Sequence, residues 1–224
     1  MSYNIAIDGP AGAGKSTIAK SIAKQRKIIY VDTGAMYRAM ALFMIKRGVN
    51  PEDTDTVAKT CEEAKITIGY ENDQQVVYLN GENVNAFLRT EEVGTMASKV
   101  SVQPAVRTKL VELQKEIAKE NDCVMDGRDI GTVVLPDAKV KIYLTASSLV
   151  RAKRRYAELQ EKGEACDLAE IQAGIEERDY RDMHREISPL KQAEDAVLLD
   201  TSELTIEQVI ERIGEITEQK LAEK

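Results

Sequence analysis

The fold of this chain is decided near its start, by Ile5-Ala6-Ile7-Asp8-Gly9-Pro10-Ala11-Gly12-Ala13-Gly14-Lys15-Ser16-Thr17. A short apolar run comes first, the pattern G-x-x-x-x-G-K-[ST] follows, and residues of helical character continue as far as Arg26. A strand, a glycine-rich turn and a helix in this order form a loop whose backbone N–H groups point at a phosphate. The helix adds the positive end of its dipole. The pattern predicts a nucleoside triphosphate site made of Gly9, Pro10, Ala11, Gly12, Ala13, Gly14, Lys15, Ser16 and Thr17.

Two side chains of this loop are expected to take part in chemistry. Lys15 can reach the β- and γ-phosphates, and we expect it to be catalytic. The Ser16 hydroxyl is expected to ligate the Mg²⁺ that accompanies ATP. The cysteines at positions 61, 123 and 166 lie far apart without C-x-x-C spacing, which indicates reduced thiols and not a second metal site.

The composition limits the classes of protein that need to be considered. The 224 residues are 43% hydrophobic and 31% charged, with a net charge of −7, which suits a single α/β domain with an insertion. A protein with a negative net charge is a poor candidate for non-specific nucleic-acid binding, which needs a positive surface. No apolar run approaches the roughly 18 residues of a membrane span, and Met1 to Asn4 lead directly into the first strand. We therefore expect a cytoplasmic monomer without a signal peptide and without nucleic-acid or membrane partners.

Short apolar segments alternate with helical ones along most of the chain. The predicted strands cover residues 5–8, 28–31, 123–126, 140–144 and 196–199. This alternation predicts a three-layer α/β fold, in which helices cover both faces of a five-stranded parallel sheet. Ligands of such sheets bind at the carboxyl ends of the strands. Three polar segments follow predicted strands and are expected at that edge: 9–16, 32–34 and 126–129.

Two stretches interrupt the alternation. Residues 66–70 and 76–81, joined by Asn72-Asp73, are typical of an antiparallel hairpin, and they predict a small α+β insertion at about 60–101. Residues 147–185 predict a helical hairpin that forms a lid. The remaining core would comprise 1–59, 102–146 and 186–224.

The predicted helical hairpin is rich in arginine. Planar guanidinium groups bind phosphate oxygens in pairs, and one well-placed arginine can contribute about 10³–10⁵ in phosphoryl-transfer rate. We expect Arg151 and Arg154 to be catalytic in this way, although a solvated helix face is the alternative. Arg178, Asp182 and Arg185 share one face, where they could form either a salt-bridge ladder or a ligand site. The single histidine, His184, is expected on the surface.

Two further segments carry candidate binding groups. After the second predicted strand, Thr33 could cap a helix and Arg38 follows about one turn later, placed to bind phosphate. After the third, Asp126 could assist the Mg²⁺ of the phosphate loop. Arg128 and Asp129 come next and are expected to point over the same edge of the sheet.

At this point the motifs match a known family. The chain resembles the bacterial cytidylate kinases over essentially its whole length. The phosphate loop is widely shared, but Asp32-Thr33-Gly34-Ala35-Met36-Tyr37-Arg38 and Asp126-Gly127-Arg128-Asp129-Ile130-Gly131-Thr132-Val133-Val134 are specific, and Glu177-Arg178-Asp179 also matches. The resemblance implies a P-loop kinase fold, ATP and CMP or dCMP as substrates, Mg²⁺ with ATP, and a role in pyrimidine nucleotide metabolism.

The resemblance also implies roles for individual residues. Thr33, Arg38 and Arg128 match positions that hold the CMP phosphate, with Arg128 also acting in catalysis. Ser98, Arg107 and Asp129 match positions that read cytosine. Arg178 and Asp182 match ribose contacts, and Arg185 matches a position near the acceptor nucleotide.

Three other readings remain open from the residues alone. A kinase for UMP, AMP or a shikimate-like acceptor would share the phosphate loop. A GTPase would need D-x-x-G and N-K-x-D segments, and neither occurs in the chain. An interaction protein with a vestigial loop would tolerate the loss of Lys15.

Overall fold

A computed structural model describes residues 3–71 and 74–223 of the chain. Its strands are β1 (Asn4–Asp8), β2 (Ile29–Asp32), β3 (Ile66–Glu71), β4 (Gln74–Leu79), β5 (Glu82–Asn83), β6 (Cys123–Gly127), β7 (Val140–Thr145) and β8 (Val197–Asp200). A five-stranded sheet has the order β2-β6-β1-β7-β8, and β3, β4 and β5 form a second sheet. The predicted five-stranded parallel α/β sheet is confirmed.

The described part of the chain contains eight α-helices, and the first ends at Arg26, as the sequence pattern predicts. They are α1 (Lys15–Arg26), α2 (Thr33–Lys46), α3 (Thr54–Glu63), α4 (Glu91–Val100), α5 (Pro104–Glu120), α6 (Ser148–Glu161), α7 (Leu168–His184) and α8 (Ile206–Ala222). A 3₁₀ turn covers Asn85–Phe87, and a wide π-helical turn covers Ile130–Val134. None of the helices in the described part of the chain is both long and apolar enough to cross a membrane.

The centre of the large sheet is formed by β1 and β6, which are parallel neighbours. Ile5 lies opposite Val124 and Asp8 opposite Gly127, and the apolar residues of both strands are fully buried. Burial on both faces explains why these strands are almost continuously apolar in sequence. Because their carboxyl ends coincide, the loop after β1 and the turn after β6 leave the sheet side by side.

The described residues divide into two compact units. The first unit holds the residues up to Ile29 and those from Asn121 onward, and the second unit holds Tyr30–Glu120. The first therefore contains β1, β6, β7 and β8 with α1, α6, α7 and α8. The second contains α2 to α5 and the sheet of β3, β4 and β5. The finer division into core, insertion and lid stays a prediction.

The second unit contains the predicted hairpin. Strands β3 and β4 are antiparallel, with Ile66 opposite Leu79 and Glu71 opposite Gln74, so this prediction is confirmed; its turn at 72–73 lies outside the described residues. The Tyr70 hydroxyl donates to the Tyr30 carbonyl at 3.0 Å. These contacts fix the hairpin within the second unit.

Candidate active site

The loop after β1 has the backbone shape that its glycines predict. Gly9 has φ +149° and lies so close to β7 that a Cβ atom there would sit 1.9 Å from the Leu144 carbonyl oxygen. Gly14 has φ +91° and immediately precedes α1. Only glycine adopts these conformations without strain. The loop therefore turns sharply and presents the first N–H groups of α1, which lack intrahelical partners and can bind an anion.

Lys15 lies beneath this loop and is almost completely buried. Its ammonium donates to the Pro10 carbonyl at 2.7 Å. Burial is the largest influence and lowers the pKa of Lys15 to about 7; the charge of Arg128 acts in the same direction, whereas Asp126 and Asp8 oppose it. A bound phosphate would favour the charged form, because an adjacent anion stabilises an ammonium.

Two oxygen groups meet at the start of α1. The Ser16 hydroxyl donates to Asp126 Oδ2 at 3.0 Å, and Asp126 is buried at the end of β6. Mg²⁺ prefers oxygen ligands and binds through one or two protein groups together with substrate phosphates. The residues present fit this ion. Across residues 3–71 and 74–223, no group of three or more His, Cys, Asp or Glu side chains could hold a metal by itself.

Arginines and aspartates from separate elements form a partly buried network next to the donor loop. Arg128 Nε donates to Asp182 Oδ2 at 2.9 Å, and Arg178 Nε lies 4.0 Å from the same oxygen. Burial tends to raise the pKa of Asp182, but Arg128, Arg178 and Arg185 outweigh it and hold that pKa below its usual value. Asp182 is therefore ionised at neutral pH.

Arg185 leaves the predicted ladder and faces a different carboxylate. Its guanidinium lies 3.8 Å from Asp129 Oδ1, and its Nε donates to the Ser188 carbonyl at 2.7 Å. The structure therefore brings together five of the predicted site residues in the first unit: Arg128, Asp129, Arg178, Asp182 and Arg185.

Asp8 is a site residue that the sequence analysis did not single out. Its two carboxylate oxygens accept the N–H groups of Ile130 and Gly131 at 2.8 and 2.7 Å. Burial dominates and raises the pKa of Asp8 to about 6, against the effect of these two hydrogen bonds. Asp8 thus joins the end of β1 to the π-helical turn that follows Asp129. An acid at the last position of a buried strand is the signal that could have revealed it, because such a group needs partners.

The two lid arginines that were predicted to be catalytic have different surroundings. Arg151 is buried and is held by backbone carbonyls and by Asp179. Arg154 donates to the Thr201 carbonyl at 2.8 Å, just beyond β8. Neighbouring Arg155 is exposed and pairs with Glu158 at 3.1 Å. In α6, therefore, Arg151 and Arg154 are held by hydrogen bonds to the protein backbone, whereas Arg155 is exposed to solvent.

In the second unit, one expectation about the start of α2 is wrong. The N-cap is Asp32, whose carboxylate accepts the Ala35 N–H at 2.9 Å; Thr33 is the first helical residue and is buried. A carboxylate oxygen accepts the N–H groups of the first helical turn well and lies at the positive end of the helix dipole, which explains the preference. Arg38 curls back toward Gly34, where a Cβ atom would lie 3.1 Å from its Nη1.

The second unit also holds the other two candidates for cytosine recognition. Arg107 is buried on α5, donates to the Ser101 carbonyl at 3.3 Å and stacks over the Tyr37 ring at 5.7 Å. Ser98 lies on α4, and its carbonyl accepts the Ser101 hydroxyl at 3.0 Å. Ser101 therefore links the backbone near Ser98 to the guanidinium of Arg107.

The exposed position predicted for the single histidine is confirmed. His184 is exposed at the end of α7, stacks on Tyr180 at 4.0 Å and hydrogen-bonds its carbonyl. The three cysteines are not joined by disulfides, and two of them are buried. Burial raises the pKa of Cys123 to about 12, which makes its thiol unreactive.

Solved structures with the same fold define the class of protein. TT1252 from Thermus thermophilus matches with a TM-score of 0.53 at 14% identity, covering 99% of this chain and 98% of that one. Shikimate kinase from Acinetobacter baumannii, in complex with shikimate, matches with a TM-score of 0.50 at 14% identity, covering 100% and 97%. Identities this low establish the fold alone. With its phosphate loop and sheet order, the chain has the fold of a P-loop kinase.

The sequence comparisons define the family. The family model for cytidylate kinase matches residues 5–219. The cytidylate kinase of Lactobacillus johnsonii is 51% identical, with 96% of this chain and 94% of that protein covered; the one of Thermosipho melanesiensis is 47% identical, with 98% and 99% covered. The chain belongs to the cytidylate kinase family, whose members are nucleoside-monophosphate kinases. The resemblance inferred from the motifs is confirmed.

Proposed function

We propose that this protein transfers the γ-phosphoryl group of ATP directly to CMP and dCMP, forming CDP and dCDP for pyrimidine nucleotide metabolism. One observation carries the proposal: the donor loop follows β1, and the turn bearing Arg128 and Asp129 follows the adjacent parallel strand β6. Donor and acceptor groups thus leave the sheet at the same edge. This is the edge at which α/β sheets bind their ligands.

The donor half would consist of the loop Gly9–Thr17. Its backbone N–H groups would hold the phosphates of ATP, and Lys15 would follow the γ-phosphoryl during transfer. Ser16 and Asp126, which share a hydrogen bond of 3.0 Å, would hold Mg²⁺. When bound, the ion would neutralise phosphate charge and orient the transferring group.

Within the first unit, the acceptor groups would be an arginine–carboxylate set. Arg128 would bind the CMP phosphate, and its present partner Asp182 would turn to a ribose hydroxyl beside Arg178. Asp129 would accept the cytosine amino group, with Arg185 adjacent. The network supports this assignment because it gathers three guanidinium groups, which bind phosphate oxygens in a bidentate geometry, around two carboxylates.

Within the second unit, the groups suit the same nucleotide. Thr33 and Arg38 would bind its phosphate. Arg107 would donate to cytosine N3 and O2, and Ser98 would offer a hydroxyl. A pocket that hydrogen-bonds a base in this way rejects other bases, because a mismatch leaves buried polar groups unsatisfied.

The reaction itself needs little acid–base chemistry. The phosphate of CMP is already ionised near pH 7, so no strong base is required. Positioning, charge neutralisation and exclusion of water account for catalysis. The helical hairpin of α6 and α7 would exclude water. We also propose that the protein works as a cytoplasmic monomer.

An acceptor panel tests the proposed function. ADP release from ATP is measured with CMP, dCMP, UMP, AMP and shikimate at matched concentrations. We expect kcat/KM for CMP and dCMP to exceed that for AMP and shikimate by about 10²-fold or more. A tenfold preference for AMP over CMP would assign the protein another substrate.

The variant Arg154→Ala tests the proposed role of the lid. We expect kcat to fall by about 10²-fold and the KM for CMP to change by less than about twofold, because the lost charge acts on the transferring group. Arg155→Ala is the matched control, since Arg155 is exposed and pairs with Glu158 at 3.1 Å. A raised KM for CMP at unchanged kcat would instead place Arg154 in acceptor binding.

A further inference from the structure

Arg151 has a different environment from the other arginines of α6. Only 5% of its side chain is exposed. Its Nε donates to the Ala146 carbonyl at 2.8 Å, and Nη1 donates to the Ala11 carbonyl at 3.0 Å. Its two terminal nitrogens donate to the two carboxylate oxygens of Asp179 in α7, at 3.1 and 2.5 Å. Protein groups therefore take up four of the five guanidinium N–H donors, and Asp179 occupies both terminal nitrogens.

We propose that Arg151 and Asp179 are a positioning pair, which shapes the phosphate loop and ties it to helix α7, and that Arg151 does not contact the transferring phosphoryl group. This departs from the prediction that Arg151 is catalytic. Arginine binds phosphate most strongly through two parallel N–H donors. Here four of the five donors end on Ala11, Ala146 and Asp179, so no such pair is left for a phosphate.

The contact with Ala11 acts on the shape of the loop. Ala11 lies inside the phosphate loop, and its carbonyl must point away from the anion for the following N–H groups to point toward it. Arg151 satisfies that carbonyl at 3.0 Å. The stem of Arg151 also packs on Gly12, where an added Cβ atom would lie 3.3 Å from Arg151 Cβ. The loop is thus held from behind in its binding shape.

The contact with Asp179 extends this support to α7. Asp179 is one turn from Asp182, which binds Arg128 at 2.9 Å, so the pair connects the donor loop to the helix that carries acceptor groups. If a nucleotide bound in the loop strengthens the attachment of α7, then an ordered α7 must raise the affinity of the loop for the nucleotide by the same factor. ATP binding and the ordering of α7 are thereby coupled.

The variant Asp179→Asn tests the pair, and Glu176→Gln is the matched control. Glu176 lies on the same helix and also reaches α6, where it accepts the Ser148 hydroxyl at 2.7 Å. Among the described residues its hydrogen-bond donors are Ser148 and Gln172, and neither lies in the phosphate loop. The probe is the Mg²⁺ complex of a β,γ-imido ATP analogue, which binds without being turned over. Its Kd and the hydrogen exchange of residues 168–184 are measured for both variants.

We expect Asp179→Asn to raise the Kd of the analogue about tenfold. The variant should also lose the protection of α7 against hydrogen exchange that the analogue produces in the unaltered protein. Glu176→Gln should retain both within about twofold. The result that overturns the proposal is an unchanged Kd and unchanged protection, whether or not kcat or thermal stability falls. A lower kcat with unchanged analogue binding would restore a direct catalytic role for Arg151.

Should Asp179→Asn fail to fold, Arg151→Lys gives the same measurement, because lysine keeps the charge but cannot serve the loop carbonyl and the carboxylate together. If the Arg151→Lys variant bound the analogue as tightly as the unaltered protein, the result would count against the proposal. Neither measurement contains CMP. The inference rests on the proposed function only in taking ATP as the phosphoryl donor. If the acceptor were not CMP, the proposed function would be refuted, but this test of the Arg151–Asp179 pair would still apply.

Discussion

Replacing Lys15 by methionine is expected to lower kcat for CMP by about 10³-fold. The ammonium lies under the loop, where its hydrogen bond to the Pro10 carbonyl measures 2.7 Å, and methionine occupies a similar volume without the charge. The loss should appear in kcat because the charge that Lys15 neutralises grows as the phosphoryl group moves. Initial rates at saturating ATP and CMP provide the measurement.

The stability of the Lys15→Met variant separates catalysis from folding. Folding lowers the pKa of Lys15 to about 7 from 10.5, chiefly through burial, so the charged form costs the folded state stability. This cost is complete below pH 7 and declines as the pH rises toward 10.5. The variant should therefore have a Tm at least equal to that of the unaltered protein, with a larger gain at pH 6 than at pH 9.

Lys24→Met is the matched control for this experiment. Lys24 lies on the exposed face of the same helix, so its loss should leave kcat within about twofold and Tm nearly unchanged. Retention of full activity by Lys15→Met would contradict the assignment of the loop as the donor site. It would instead support an interaction protein with a vestigial loop.

The second large effect is expected for Asp129→Ala, which should lower kcat/KM for CMP by about 10³-fold. Its carboxylate is the proposed acceptor for the cytosine amino group. It also lies 3.8 Å from the buried Arg185, so its removal deprives that charge of a partner. The affinity for the imido ATP analogue should change by less than about twofold, because the donor loop is untouched.

Asp137→Ala is the control for Asp129→Ala. Asp137 lies a few residues later in the same segment and is exposed, so its removal should change neither CMP efficiency nor ATP-analogue affinity. Asp129→Asn should be intermediate, since its amide oxygen can still accept the cytosine amino group. Equal losses for CMP and for the ATP analogue would show that Asp129 acts on the whole site and not on the base.

Local patterns made much of this protein predictable. The donor loop follows from glycines at positions that require unusual backbone angles, and the hairpin of β3 and β4 follows from its alternation. Strands β1 and β6 follow from apolar runs that end in polar segments. The start of α2 was less predictable, since both Asp32 and Thr33 are good capping residues. The difference between them depends on the backbone angles at the helix start.

The partners of charged side chains were the main feature that the sequence left open. Arg151 and Arg154 both looked like phosphate ligands, because spacing along α6 specifies a face but not what that face contacts. Asp179 was visible within a motif, but nothing local connected it with Ala11. Asp8 lies next to the donor loop, yet its two partners, Ile130 and Gly131, come more than a hundred residues later.

By itself, the sequence determined the phosphate loop and the individual strands and helices, because these depend on neighbours within a few residues along the chain. The alternation of those elements indicated a parallel sheet, and the specific motifs indicated the family. Only the tertiary structure decided the partners of the charged side chains. Arg151 pairs with Asp179, Arg128 pairs with Asp182, and Asp8 accepts backbone N–H groups of the turn after β6. The physical reason is desolvation. A buried charge must find a partner, and the nearest one is chosen by how strands and helices pack, which spacing in sequence does not encode.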